Sequence, residues 1–334
     1  MMLLRQWTRT LLLAKTNYTT IMQFLTGFVF SLTASAATLV STGSCASIPQ
    51  DGASSKVSNI TITSNKINRS FLLWVSPTYS SESPASVILS YHGGNKNAQD
   101  QLELDGFTTA DTNAVSIVVY PQGVNNFWQG VPGDTVDDVK FTKDIIDYLE
   151  SKYNVDKTRI YASGKSDGGG FCNVLACDDG ASTRIAAFAP VSGAFYVNTS
   201  PCHPDTVQLP CNPGRKSIPM IEFHGGNDST IHYEGGTRKK ECLPSIPHFV
   251  QQWAVRNGLG LQNQTSNIAD HTTSYTYGTG ANTGLVRHIY ESDIGHDWPS
   301  TSPNKDNSRD GHHVASYNAT PIILDFFSKH RLTQ

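Results

Sequence analysis

The residues best placed to do chemistry lie in Gly164-Lys165-Ser166-Asp167-Gly168, a serine between glycines. Gly164-Lys165-Ser166 also reads as the end of a phosphate-binding loop. That loop needs a glycine five positions before Gly164, and Arg159 stands there. The remaining reading is G-x-S-x-G, a tight turn between a strand (Arg159 to Ala162) and a helix, which projects a nucleophilic hydroxyl. A serine hydroxyl is a weak nucleophile at neutral pH. It needs a base, normally histidine, oriented by a carboxylate.

In folds that carry this turn the chain order is Ser, then Asp or Glu, then His, the last two in loops after late strands. "PMIEFHGGNDST" supplies a strand, a turn and Asp228; "LVRHIYESDIGHDWP" supplies the last strand, a loop and His296. The rivals fit less well. Glu222 falls inside a strand, Asp205 has no strand directly before it, and Asp293 and Asp297 are too close in sequence to His296 to orient its ring. His312 and His313 read as a solvated loop, and His224 as a residue that orders its own turn. An oxyanion hole completes the set. Its donors are expected to be the backbone N–H of Asp167 and that of Gly94, or alternatively Gly93, after the strand in "SYHGG". No metal-binding motif is present, and neither a metal nor another cofactor is expected.

These residues need a scaffold that ends strands at a common edge. "SVILSYHGG", "VSIVVYPQG", "RIYASG", "IAAFAPVSG" and "PMIEFHGG" are short apolar strands, and "NITITS" with "SFLLWVS" reads as an opening antiparallel pair. Between and after them run helices. "DDVKFTKDIIDYLESKY" places Val139, Ile145, Ile146 and Leu149 on one face. "IPHFVQQWAVRNG" is closed by Gly258, and "TPIILDFFSKH" has Pro321 at its entry. The alternation predicts an α/β fold with a mainly parallel sheet buried on both faces. One domain over 56–334 is expected, with no appended binding module.

The chain has 334 residues, 16% of them charged, and a formal net charge of −3, which argues against a nucleic-acid partner. Residues 1–36 read as an N-terminal extension and signal peptide, with Met22 as the start and a small-residue cleavage pattern at Ala34-Ser35-Ala36. The apolar run is too short to span a bilayer. Residues 37–55 read as a Ser/Gly-rich arm. A secreted, extracellular protein with no membrane attachment after cleavage is therefore expected. In that setting Cys45, Cys172, Cys177, Cys202, Cys211 and Cys242 suggest up to three disulfides, with Cys172 and Cys177 not joined to each other. Sequons stand at Asn59, Asn68, Asn198, Asn227, Asn263 and Asn318. The one at Asn227 is expected to carry no glycan, because a buried Asp228 would crowd it.

The stretches "RIYASGKSDGGGF", "IAAFAPVSGAFY", "IPMIEFHGGNDSTI", "ECLPSIPHFVQQWAVRNG" and "IGHDWPST" resemble the secreted fungal feruloyl esterases of type C and, more distantly, the polyhydroxybutyrate-depolymerase-like esterases. The resemblance runs from about Ser54 to the C-terminus. It implies the α/β-hydrolase fold, hydrolysis of hydroxycinnamoyl esters of plant cell-wall polysaccharide, and catalysis by Ser166, Asp228 and His296. A cysteine at position 172 departs from the family's pattern and puts the third disulfide in doubt. An aromatic acyl group calls for an apolar slot, and Phe127, Trp128, Phe195, Tyr196 and Trp298 are candidates for its wall, each with core packing as the competing role. Lys165 is expected to meet substrate or solvent. Esterases for acetylated xylan or a polyester, a serine peptidase, and a non-catalytic binding protein remain as alternatives.

Overall fold

Ten strands hydrogen-bond into one sheet in the order β1-β2-β4-β3-β5-β6-β7-β12-β11-β10. The structure, a computed structural model, describes residues 57–109 and 117–333, so the leader, the arm and Cys45 lie outside the described residues. The opening hairpin is β1 (Val57–Ser64) with β2 (Ile67–Val75), antiparallel as expected. The central strands are β3 (Ala85–Tyr91), β4 (Ile117–Pro121), β5 (Val155–Lys165), β6 (Ala187–Val191), β7 (Met220–Gly225) and β12 (Val286–Glu291). These six run parallel to one another, with antiparallel partners at β4 (β2) and β12 (β11). Every residue of β3, β4, β6 and β7 is buried, as a strand covered on both faces requires.

Alternation along the strands divides the core in two. Val87 and Leu89 face one apolar cluster and Ile88 the other. Helices α2 (Asp138–Lys152), α3 (Asp167–Cys177) and α5 (Ile246–Arg256) cover the first face with Phe141, Phe171 and Phe249 among others. Helices α1 (Ala98–Asp105) and α6 (Ala319–Ser328) cover the second with Ala98, Ile323 and Phe327. A short helix α4 (Asp179–Ser182) follows α3. The starts of α1, α2 and α5 are capped by side chains. Asn97 and Asp100 form a capping box at α1, the Asp137 carboxylate accepts from the Lys140 amide, and Ser245 caps α5.

Two hairpins were not anticipated. β10 (Asn263–Ala269) and β11 (Thr272–Tyr277) extend the sheet beyond β12. All of β10 but its last residue is exposed, so it carries no period-two apolar signal. The second hairpin, β8 (Gly236–Arg238) with β9 (Glu241–Leu243), forms a small separate sheet.

Disulfides join Cys177 to Cys211 and Cys202 to Cys242, closing separations of 34 and 40 residues. Loops of that size stabilise a fold by about 3–4 kcal/mol each. Cys172 is a buried free thiol on the same helix as Cys177, and burial pushes its pKa well up. All six sequon asparagines are exposed, Asn227 included. Asp228 beside it is buried, and the Asn227 side-chain amide donates to the Asp293 carbonyl at 3.1 Å. Among the described residues no helix is long and apolar enough to cross a membrane.

Candidate active site

Ser166 sits between the end of β5 and the start of α3 with φ 56° and ψ −119°, a region that a residue bearing a side chain rarely occupies. Its backbone over-determines that conformation. Its amide donates to the Val191 carbonyl at 2.9 Å, and its carbonyl accepts from the amides of Gly170 and Ala194. The glycines make room for it, because a Cβ on Gly164 would lie 2.6 Å from the Gly168 carbonyl oxygen.

Strands β7 and β12 are parallel neighbours, with Gly225 opposite Glu291, so the loops that follow them meet. Asp228 lies three residues past β7 and His296 five past β12. His296 Nδ1 is 2.7 Å from Asp228 Oδ2. The other Asp228 oxygen accepts from the amides of Thr230 and Ile231 at 2.8 and 2.7 Å. Burial opposes the Asp228 charge, but the bonds from His224 and His296 hold its carboxyl well below the usual range. For His296, burial and then the nearby Lys165 charge push the pKa down to about 4 against the pull of Asp228. It is therefore a neutral ring at pH 7, with Nδ1–H on Asp228 and Nε2 free to take a proton.

Ser166, His296, Gly93, Gly94, Asp167 and Phe127 share the wall of one cavity of about 290 Å³. No hydrogen bond joins Ser166 to His296 among the described contacts, a looseness common in the absence of substrate. The Asp167 amide is one of the donors left unpaired at the start of α3. A Cβ on Gly93 would lie 3.4 Å from the Ser166 Cβ, so this backbone runs directly against the serine. His92 holds that loop in place. Its Nδ1 donates to the Gly93 carbonyl (2.8 Å) and its Nε2 accepts from the Gly123 amide (3.0 Å), an arrangement only a neutral ring satisfies. Burial lowers the pKa of His92 to about 4, in keeping with that tautomer.

Lys165, expected at substrate or solvent, is buried at 5% exposure. Its Nζ pairs with Asp306 at 2.7 Å and donates to the His296 carbonyl at 3.2 Å. Arg309 donates to the same carbonyl at 2.6 Å, so two cations hold it, and Lys165 ties it to the Ser166 turn. His312 is no solvated residue either, since its Nδ1 lies 2.8 Å from Asp297. His224 does order its turn by donating Nε2–H to the Ile231 carbonyl (2.8 Å), and it also bridges Glu222 and Asp228. Asp205 instead accepts from the Ser245 hydroxyl at the start of α5.

The aromatic candidates divide. Phe127 lines the cavity, whereas Trp128, Phe195 and Trp298 are buried in the core. Trp128 stacks on Phe171, Phe195 on Phe249, and Trp298 donates its Nε1–H to Thr320. Tyr196 accepts from Arg238 Nε at 3.3 Å. Leu104 and Phe127 are the large apolar side chains of the wall, and most of the rest is polar or charged. An apolar slot built from several aromatics is thus not what the cavity presents. The fastening residues Asp306 and Arg309 escaped sequence reasoning because they lie in polar stretches with no motif, and Lys165, though inside G-x-S-x-G, has partners remote in sequence. Among the described residues no group of three or more His, Cys, Asp or Glu is arranged to hold a metal ion.

No protein-family model matches the chain. It is 25% identical over 227 residues to a bifunctional acetylxylan esterase/xylanase of Neocallimastix patriciarum, covering 66% of this chain and 30% of that one. It is 27% identical over 202 residues to a probable feruloyl esterase C of Aspergillus oryzae, covering 59% of this chain and 68% of that one. The chain thus spans under a third of the length of the first of these relatives. Among solved structures, an acetyl xylan esterase from Aspergillus awamori superposes with a TM-score of 0.56 at 18% identity, over 72% of this chain and 94% of that one. In sequence the chain is similar to the fungal feruloyl esterases of type C, and it has the α/β-hydrolase fold.

Proposed function

We propose that this protein is a secreted serine esterase that hydrolyses hydroxycinnamoyl esters, feruloyl esters foremost, of plant cell-wall polysaccharide. The observation that carries the reading is the neutral, Asp228-bound His296 sharing one cavity with a serine in a strained elbow. Ser166 Oγ attacks the ester carbonyl while His296 Nε2 takes its proton. The carbonyl π electrons move to oxygen, where the amides of Asp167 and Gly94, with Gly93 as the alternative, stabilise the charge. Collapse expels the sugar alkoxide, which leaves with the proton from His296. Water then attacks the acyl-enzyme and gives a proton to His296, and collapse frees the hydroxycinnamate and expels Ser166 Oγ, which takes that proton back from His296. The two disulfides and the exposed sequons support an extracellular setting.

Acetylxylan is the second reading, favoured by the scarcity of apolar wall and by the acetylxylan esterases among the relatives. Assays on methyl ferulate, methyl sinapate and acetylated xylan separate the two. Hydroxycinnamate turnover is expected, falling by about 10⁴-fold or more in Ser166→Ala. Turnover of acetylated xylan alone would replace the leading substrate. No reaction of the wild type with any ester or with a fluorophosphonate probe would overturn the esterase itself.

A further inference from the structure

The cavity wall is cationic in a chain whose net charge is −3. Six lysine and arginine side chains line it against three aspartates, a surplus of three positive charges. Four of the six are accounted for by structure. Lys165 is paired with Asp306, Lys305 with Asp100 and Glu103, and Arg309 with Asp297. Lys239 also pairs with Asp167, at 3.7 Å, which leaves Lys96 and Arg238 with no ion-pair partner among the described residues, Arg238 donating to the Tyr196 hydroxyl.

The delivery of two of these cations is costly to the backbone. Arg238 and Lys239 sit at the tip of the β8–β9 hairpin, whose two turn residues, Lys239 and Lys240, both have positive φ (47° and 67°). A two-residue hairpin turn of this kind favours Asn-Gly, and side-chained lysines there are strained. The hairpin is braced all the same. Cys242 on β9 is disulfide-bonded to Cys202 and bridges the backbone of Val197. The tip holds Lys239 Nζ 4.8 Å from the centre of the Phe127 ring, above the Asp167 carboxylate beside the nucleophile. Lys96, two residues after the Gly93-Gly94 pair, lines the same wall. Lys96 and Lys239 are exposed, so they face the part of a substrate that stays in solvent, which is the alcohol side of the ester.

Resting on the esterase reading above, we infer that the cleft is built for an ester whose sugar portion carries a carboxylate, a uronate-bearing polysaccharide, gripped between Lys96 and the Arg238–Lys239 hairpin tip. Cations in a low-dielectric cleft concentrate an anionic polymer at the nucleophile, and salt screens that attraction.

Binding to Ser166→Ala, read by titration calorimetry, tests this without reliance on catalysis. The probes are xylotetraose bearing one glucuronic acid residue and plain xylotetraose. The acidic sugar should bind at least about tenfold tighter at low salt, with the advantage shrinking several-fold near 0.5 M salt. Adding Lys96→Gln, Arg238→Gln and Lys239→Gln should reduce the ratio to about one, and the salt series on Ser166→Ala alone stands if that variant folds poorly. Equal binding of the two sugars, binding of neither, or a preference indifferent to salt would overturn the inference. Hydrolysis of methyl ferulate by the wild type is read separately, so a failed esterase and a failed anion site give different results.

Discussion

Two buried histidines approach the same oxygen of Asp228, His296 from 2.7 Å and His224 from 3.3 Å, and only one of them is charged. Both ring nitrogens of His224 meet acceptors only, Glu222 Oε1 at 2.9 Å and the Ile231 carbonyl at 2.8 Å. Each must therefore donate, and the ring is an imidazolium. Burial works against that charge, but Glu222 and Asp228 outweigh it and raise the pKa to about 10. His296 has one carboxylate on Nδ1, the cavity beyond Nε2, and Lys165 close by, and its pKa falls to about 4. What a ring does here follows from the acceptors around it and not from depth, since both are buried. The charged histidine makes Asp228 a firmer anion, and the neutral one is left to move protons.

The largest break in this arrangement is Asp228→Asn. It removes the acceptor both rings use and should lower kcat about 10⁴-fold, as a triad loses its oriented tautomer. Activity within tenfold of wild type would point to another carboxylate. Next is Glu222→Gln, which strips His224 of its principal counter-charge and should cost about 3 kcal/mol of stability in denaturant unfolding at pH 7. Its pH signature sharpens the comparison. A folded pKa raised from 6.5 to about 10 contributes stability that is full below pH 6.5 and lost as pH rises through about 10. That loss should flatten in Glu222→Gln, and an unchanged slope would mean His224 is not the charged ring.

His296 has the opposite sign. Its lowered pKa gives stability that is present above pH 6.5 and lost as pH falls toward 4. The acid limb of kcat/KM should accordingly lie near pH 4. The smallest effect is expected from Lys165→Met. It removes a repelling cation and leaves Asp306 unpaired, so the acid limb should move up by less than about one pH unit. A limb that moves down, or stays, would mean that Lys165 acts only as a fastener.

Much of this was legible in the sequence, and the rest was hidden for identifiable reasons. β3, β4, β6 and β7 are buried on both faces and read as apolar runs between turn residues. Ser166, Asp228 and His296 follow β5, β7 and β12, so order along the chain located them. β10 was invisible because its side chains face water on both sides. The ion pair of Lys165 was not readable because its partners are remote, the His296 carbonyl being 131 residues away. The aromatics at 128, 195 and 298 were placed near the site correctly in sequence. A residue's position next to a loop does not fix which way its ring points, and these three turn into the core.

The polar margin formed by β10 has a consequence for how molecules meet one another. An outermost strand offers a row of unpaired N–H and C=O groups to any extended chain that comes alongside, the usual seed of edge-to-edge aggregation. Here the row is interrupted. The pairing with β11 shifts register between Asn267 and Ala269, which twists the margin away from a regular template. The sequon at Asn263 stands on the first rung, where a sugar chain would shield the remainder. The strand that carries least of the core is thus the one that guards the protein's solubility.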